Sequence, residues 1–349
     1  MNQDRDDYQR SKKMKINNNE INKILCVKPR GIGDIVLSTI ILDDLRKNFP
    51  SAEIHYLTEI FAKDALANNP LVYKVHTMEK TGFVLKVAAR LRNEKYDMII
   101  DLWSNPRSAQ ITFLTHAKFR VGFSYRGRKY AYNILGTSEK GEHHSAEHNL
   151  ELLKALGIEI TSKRIHFYVS EEDNSWAKQF IKTNLPEGKK IVGIIPSGGW
   201  ASKRCDASKW VEICKAIKQK YDVVFLILWG PGDENDVNFI KNNLGNNAVL
   251  IPEVKIGKLS ALIKNCNMVI ANDSGPMHIA AALGIPTLGI FGPTNPKAHG
   301  PYSPNSDYVI KQDLHCIICN KLVCPYKHEC MTQLPVDVIL QKVKIMFKN

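Results

Sequence analysis

From Ile24 onward the chain repeats one pattern: a short apolar run, a turn rich in glycine or proline, then apolar positions spaced three and four apart. The runs have the length of buried strands, and the spacing that follows is helical. Ile24–Lys28 leads into Pro29-Arg30-Gly31-Ile32-Gly33-Asp34, after which Ile35, Val36, Ile40, Ile41 and Leu45 mark one helix face. Residues 51–57 read as a strand, 83–92 as a helix, 97–103 and 119–123 as strands, 139–156 as a His-rich helix and 165–169 as another strand. The polar stretch 170–190 is a candidate junction, and beyond it the alternation restarts. Strands are expected at 191–195, 223–228, 268–271 and 287–291, helices at 208–220, 236–244, 259–265 and 277–283, then a loop-rich tail and a helix over 336–347. Strands alternating with helices imply βαβ units and parallel sheets.

The fold class expected is therefore α/β, with two Rossmann-like doubly wound domains in series facing a central cleft. Residues 1–20 are expected to be a flexible polar tail, 21–170 the first domain, 171–190 a linker, 191–335 the second domain and 336–349 a C-terminal helix. A length of 349 residues suits two such cores. Apolar residues at 44% and charged residues at 24% are globular proportions. No apolar run reaches the roughly 18 residues of a membrane span, and the polar start lacks the pattern of a secretory signal. A cytoplasmic protein is expected.

The formal charge of +13, from 48 Lys and Arg against 35 Asp and Glu, favours anionic partners. The basic residues are scattered and lack an aromatic-rich nucleic-acid motif, so a membrane surface or an anionic small acceptor outranks nucleic acid. A merely solvated basic face is the plainer explanation.

Several turns carry candidate chemistry. In Asn272-Asp273-Ser274-Gly275-Pro276-Met277-His278 a strand ends and a helix begins, with Ser274 placed to cap it and Pro276 suited to its first turn. Free N–H groups at such an end attract an anion; a well-capped helix without a ligand is the alternative. Ser197 and Gly198, then Lys203 and Arg204, follow the strand 191–195, where cations would neutralise a departing diphosphate. Glu234 follows Gly230-Pro231-Gly232 and is a candidate for sugar or ribose hydroxyls, or else a surface carboxylate. Asp34 reads either as a helix N-cap or as a general base. Gly31 and Gly33 invite a dinucleotide reading, but the third glycine of that pattern would fall at Val36.

Cys316, Cys319, Cys324 and Cys330 concentrate half of the eight cysteines near the C-terminus, as a possible structural zinc site or as packed, reduced thiols. Cys26, Cys205, Cys214 and Cys266 read as small core residues, and His144 and His148 as exposed positions on a surface helix. Of the tryptophans, Trp200 is the candidate for stacking on a ligand.

Taken together, Val27 to Asp34, Pro196 through Lys203-Arg204 to Trp210, Asn272 to Thr287 and Phe291-Gly292-Pro293-Thr294 resemble the heptosyltransferases of bacterial lipopolysaccharide assembly, glycosyltransferase family 9. The resemblance runs from about Ile24 over nearly the whole chain. It implies a GT-B arrangement and an inverting, metal-independent transfer of a heptose from ADP-heptose to an anionic, Kdo-containing lipid acceptor. Asp34 would be the base; Lys203, Glu234, Asp273, Ser274, Gly275 and His278, with Ser197 and Gly198, would hold the donor. Arg30, Gly33, Arg107, Arg120 and Arg126 are the acceptor-side candidates, and transient contact with the inner face of the inner membrane is expected. No cofactor is required for catalysis on this reading, and no Asp-x-Asp pair stands at a strand end to bind a metal. Where the family usually shows an aromatic residue and a proline after the lysine and its neighbour, this chain has Cys205-Asp206. Rival readings are another nucleotide sugar or acceptor, an NAD-dependent oxidoreductase, and a non-catalytic nucleotide- or sugar-binding module.

Overall fold

The computed structural model describes residues 16–137 and 143–347. The first fifteen residues of the expected tail and residues 139–142 of the expected His-rich helix lie outside the described residues. The chain divides into two compact units, Met1–His166 and Phe167–Asn349.

The first unit is built on a six-stranded parallel sheet: β1 Lys23–Val27, β2 Glu53–Glu59, β3 Lys74–Met78, β4 Met98–Asp101, β5 Phe119–Phe123 and β6 Ile134–Gly136. The strand order is β3-β2-β1-β4-β5-β6. Central strand β1 pairs with β2 through Leu25 opposite His55 and with β4 through Leu25 opposite Ile99. Ile24, Leu25, Cys26 and Val27 have no exposed surface, because a central parallel strand is covered on both faces and so reads as a continuous apolar run. The helix Val84–Asn93 buries Val87, Ala88 and Leu91, the stripe that its three- and four-residue spacing predicts.

The second unit repeats the plan with β7 Lys190–Ile195, β8 Val223–Ile227, β9 Ala248–Leu250, β10 Met268–Asn272, β11 Thr287–Phe291 and β12 Ser306–Ile310. These six strands are ordered β12-β11-β10-β7-β8-β9. The helix Ala207–Lys220 turns Trp210, Ile213, Cys214 and Ile217 inward, and Trp210 is fully buried in one core with Phe225 and Ile240. The C-terminal helix Val336–Met346 adds Ile339, Leu340 and Val343 to the same core.

Four features depart from the sequence expectations. Residues 165–169 form no strand; the Thr39 hydroxyl fastens this segment by accepting from His166 N at 2.8 Å. The polar stretch after 170 contains the helix Glu171–Asn184, N-capped by Ser170. It reads as polar because Ala177 is its one fully covered residue, and it lies against the helix Ile256–Lys264, where a Cβ at Gly257 would collide with the Asp173 carboxylate. Strands β3, β6, β9 and β12 were not marked by apolar runs: edge strands are short or half-exposed and carry mixed residues such as those of β12. His144 and His148 do not share an exposed helix face: His144 is the N-cap of the helix Ser145–His148, and His148 stacks on Phe123 at 4.3 Å.

Candidate functional site

In an open α/β sheet, ligands gather beyond the carboxyl ends of the strands where the strand order reverses. In the first unit that point lies between β1 and β4, and in the second between β7 and β10.

At the first point the chain leaves β1 through Pro29-Arg30-Gly31 and enters the helix Ile32–Ser38. Gly31 has φ of 79°, and a Cβ there would strike the Asp34 carboxylate. Glycine at this position leaves the acid room to fold back over the start of its own helix. The expected N-cap role of Asp34 does not hold: Gly31 occupies the N-cap position, and Asp34 is the third helical residue, half-buried. Gly33 is buried inside that first turn. The turn after β4 is held from below by Asp101, whose fully buried carboxylate accepts from Ser104 N at 2.8 Å, Trp103 N at 3.1 Å and the Tyr132 hydroxyl at 2.7 Å. Burial pushes the Asp101 carboxyl up, opposed by these donors. Lys28, buried, donates to Leu102 O at 3.1 Å and ties the two turns together.

The expected acceptor-side arginines are differently placed. Arg30 donates to the buried Glu59 at 2.9 Å and lines a cavity of ≈ 670 Å³ with Gly31, Phe61, Met78 and Lys80. Arg107 is committed to the carbonyls of Glu79, Lys80 and Gly82. Arg120 donates to Ala117 O and Ala131 O, at 2.7 and 3.0 Å, and burial lowers its pKa. Arg126 is exposed in the loop after β5. Arg30 shares the turn after β1 with Asp34; Arg107 and Arg120 are spent on backbone carbonyls.

The second unit brings together the ends of β7, β8, β10 and β11. Asn272 Nδ2 donates to Pro196 O at 2.6 Å, joining the β10 and β7 turns. The buried Asp273 carboxylate lies 2.7 Å from Lys203 Nζ and accepts from the Thr294 hydroxyl at 2.6 Å. Lys203 Nζ also sits 4.3 Å from the centroid of the Trp200 ring, so Trp200 packs against the lysine rather than standing open. Asp273 is thereby a positioning group: it fixes the ammonium and, neutralised by it, does not repel an anion. The helix Gly275–Ala282 starts at this turn with Pro276 in its first turn. Ser274 occupies the N-cap position, yet its hydroxyl makes no capping bond and is buried without a partner. The expected side-chain cap is absent, and the N-terminal N–H groups stay available to an anion. His278 is buried one turn further on.

Ser197 donates to Asp233, which also accepts from Gly230 N at 3.2 Å and lies 2.9 Å from Arg204. Arg204 Nε in turn donates to Gly198 O at 3.0 Å. Asp233 is 5% exposed, whereas Glu234 is exposed and accepts from Gly232 N at 3.1 Å, with backbone N–H groups lowering its pKa. The acid that organises this turn is Asp233, one residue before the one singled out from sequence. The turn Gly-Pro-Gly followed by two acids signalled a carboxylate here, but not which of the two faces inward. Thr294 was likewise missed as a site residue: a lone threonine after a strand carries no local mark of its partner 21 positions away.

Cys26, Cys205, Cys214 and Cys266 are buried free thiols; Cys316, Cys319, Cys324 and Cys330 are half-exposed free thiols. Burial first, and then the neighbouring Cys324, Cys316 and Cys319, push Cys330 up to about 11. Among the described residues the ligand atoms of His55, His76 and Glu94 lie within 4.8 Å of one another, and no three of the cysteines do. The loop that carries these cysteines leans on the turns of Lys203 and Thr294. Ser202 N donates to Leu322 O at 3.2 Å, the Ser202 hydroxyl bonds Lys321 O, and the His328 ring meets Ser202 O at 2.8 Å. Asn320 N donates to Pro293 O at 2.7 Å, next to Thr294.

The glycosyltransferase family 9 (heptosyltransferase) model matches residues 84–329. A lipooligosaccharide heptosyltransferase 2 of Campylobacter jejuni is 32% identical over 94% of this chain and 99% of its own. Among solved structures, the glycosyl transferase family 9 protein of Veillonella parvula superposes with a TM-score of 0.80 at 20% identity, covering 95% of this chain and 98% of its own. The ADP-heptose lps heptosyltransferase II of E. coli does so with a TM-score of 0.76 at 20% identity, over 93% and 98% of the two chains.

Proposed function

Because the chain belongs to glycosyltransferase family 9, the heptosyltransferases, we propose that it moves a heptose from ADP-heptose to an anionic inner-core acceptor of lipopolysaccharide, with inversion at the anomeric carbon. The observation that carries this reading is the second unit's switch point, where Lys203 and the uncapped start of the helix Gly275–Ala282 converge on one turn. Such an arrangement suits a nucleoside diphosphate as leaving group: an ammonium and a helix N-terminus stabilise the charge that grows on its oxygens. The helix start, with the ammonium N–H donors of Lys203 beside it, offers hydrogen bonds to that charge from the protein itself, which supports a metal-independent transfer. Ser197, Gly198 and His278 belong to the same set of turns, and Asp233 and Asp273 hold the cations in place.

Asp34 is the proposed base. It would take the proton of the acceptor hydroxyl as the oxygen attacks the anomeric carbon and the bond to the diphosphate breaks. Arg30, at the mouth of the adjoining cavity, is the acceptor contact that the geometry favours. Glu234 is retained as a hydroxyl acceptor at the rim of the donor turns. A structural zinc at Cys316, Cys319, Cys324 and Cys330 is a further expectation; thiolates of this kind suit zinc, and metal analysis of the purified protein tests it. The proposed place of work is the cytoplasmic face of the inner membrane.

The test is a donor screen that follows ADP release with a truncated Kdo-bearing lipid acceptor. ADP-heptose consumption with an inverted product is the expected result. Release from no nucleotide sugar with any such acceptor would overturn the reading.

A further inference from the structure

Two helix starts at one edge of the first sheet carry large apolar side chains into solvent: the 3-10 helix Ile60–Ala65 and the helix Val84–Asn93, with Phe83 at its N-cap. Ile60 and Phe61, directly after β2, are 52% and 58% exposed, and Phe83 and Leu85, shortly after β3, are 84% and 72% exposed. Strands β2 and β3 are adjacent and parallel, so both helix starts emerge at the carboxyl edge, the edge that also bears Arg30 and Asp34. Single exposed apolar residues are ordinary on a soluble surface; four at neighbouring helix starts call for a partner.

The second helix start is braced. Arg107 donates to Glu79 O at 2.7 Å and Gly82 O at 2.8 Å, so Phe83 follows a clasped loop. Lys63, Lys80 and Lys86 are exposed in the same stretches, against Asp64 and the exposed Glu79. Glu59, the remaining acid there, is taken up by Arg30. Exposed apolar side chains at two neighbouring helix starts, with lysines set among them, match the interfacial layer of a bilayer: rings and aliphatic groups enter the acyl boundary while ammonium groups stay at anionic headgroups.

We infer that Ile60, Phe61, Phe83 and Leu85 form a membrane-docking tip that seats this edge of the first unit on an anionic lipid bilayer, with Lys63, Lys80 and Lys86 at the headgroups. The cavity beside Arg30 then opens at the lipid surface. This deepens the acceptor reading above and rests on it for the choice of a membrane, but docking itself requires no turnover.

The experiment is flotation of the full chain with vesicles of phosphatidylethanolamine and phosphatidylglycerol, and with vesicles of phosphatidylcholine alone. The wild type should float with the anionic vesicles, and partitioning should fall at least about tenfold with the neutral ones or in the double variant Phe83→Ser, Leu85→Ser. Turnover of a deacylated, soluble acceptor should be unchanged in that variant. In the single variant Phe83→Trp, the added indole emission should shift to the blue when anionic vesicles are mixed in. A wild type that stays unbound, a double variant that floats as well as the wild type, or an indole emission in Phe83→Trp that does not move overturns the inference. Failure of the transferase reading would show instead as absent turnover of the soluble acceptor by a wild type that still floats.

Discussion

Asp34 and Gly31 work as one local device. The glycine's φ of 79° turns the chain into the helix, and its missing side chain leaves the carboxylate its place. Asp34→Asn should lower kcat by about 10²–10⁴ while ADP affinity measured by calorimetry stays unchanged, the range for losing a general base. Gly31→Ala should reduce stability by ~1–3 kcal/mol in urea unfolding, because an L side chain is strained at that φ. Equal stability of the two proteins would remove the case for this glycine. Asp233 is the second residue that decides geometry, since it holds Ser197, Gly230 N and Arg204 at once. Asp233→Ala takes the nearer carboxylate from a guanidinium that is partly exposed and keeps Asp236 at 3.9 Å, so a loss of about 1–3 kcal/mol is expected together with weaker ADP binding. Glu234→Ala, at an exposed carboxylate, should leave the urea midpoint where it is, as surface substitutions generally do. Local sequence marks a carboxylate after this turn but not its direction: Asp233 and Glu234 are adjacent, and only the start of the following helix sends one inward and the other out.

At the scale of elements, the segment 314–328 acts as a strut for the turn that carries Ser202 and Lys203. His328 adopts a left-handed conformation, φ 59°, and its ring meets Ser202 O. His328→Asn tolerates that backbone but withdraws the ring, so the Lys203 turn should loosen and the ADP dissociation constant rise about five- to tenfold, the worth of one hydrogen bond. Unchanged ADP affinity would show that the turn stands without the strut. In the first sheet, His55, Tyr96 and His76 form a buried chain, with the Tyr96 hydroxyl 2.8 Å from His55 Nδ1 and 2.7 Å from His76 Nε2. Burial, and then the nearby Lys74, lower His76 from 6.5 to about 4. The unfolded chain therefore binds the proton near pH 6.5 and the folded chain only near 4, so the unfolded state holds more protons between them. Stability from this group is complete above pH 6.5 and is lost as pH falls toward 4. Urea midpoints should fall across that window, and less steeply in His76→Gln; equal slopes would contradict the assignment.

At the scale of the whole molecule, the net charge of +13 should draw an anionic acceptor from a distance. Raising salt past the point where the screening length falls below about 8 Å should lower kcat/KM for a phosphorylated acceptor several-fold more than for an uncharged analogue. A salt response equal for both acceptors would place the basic residues outside acceptor capture. The central strands were legible in the sequence because β1, β7, β8 and β10 are covered on both faces and appear as unbroken apolar runs. The turns after β1, β7 and β10 were legible because glycine and proline cluster there directly after an apolar run: Pro29 and Gly31, Pro196 and Gly198, Gly275 and Pro276. Edge strands such as β12 and the helix Glu171–Asn184 were not, since a half-exposed element carries the composition of a loop. Sequence alone thus determined the α/β class, the repeated doubly wound plan and the places where an anion can meet a helix start, all of which follow from local spacing and burial. Tertiary structure decided that Lys203 meets Asp273 and Thr294, that Asp233 rather than Glu234 turns inward, and that Arg107 and Arg120 are spent on carbonyls. The Lys203, Thr294 and Arg107 contacts depend on which segments lie side by side in space, which no local pattern encodes; the Asp233 and Arg120 outcomes are set by the direction that the local backbone gives each side chain.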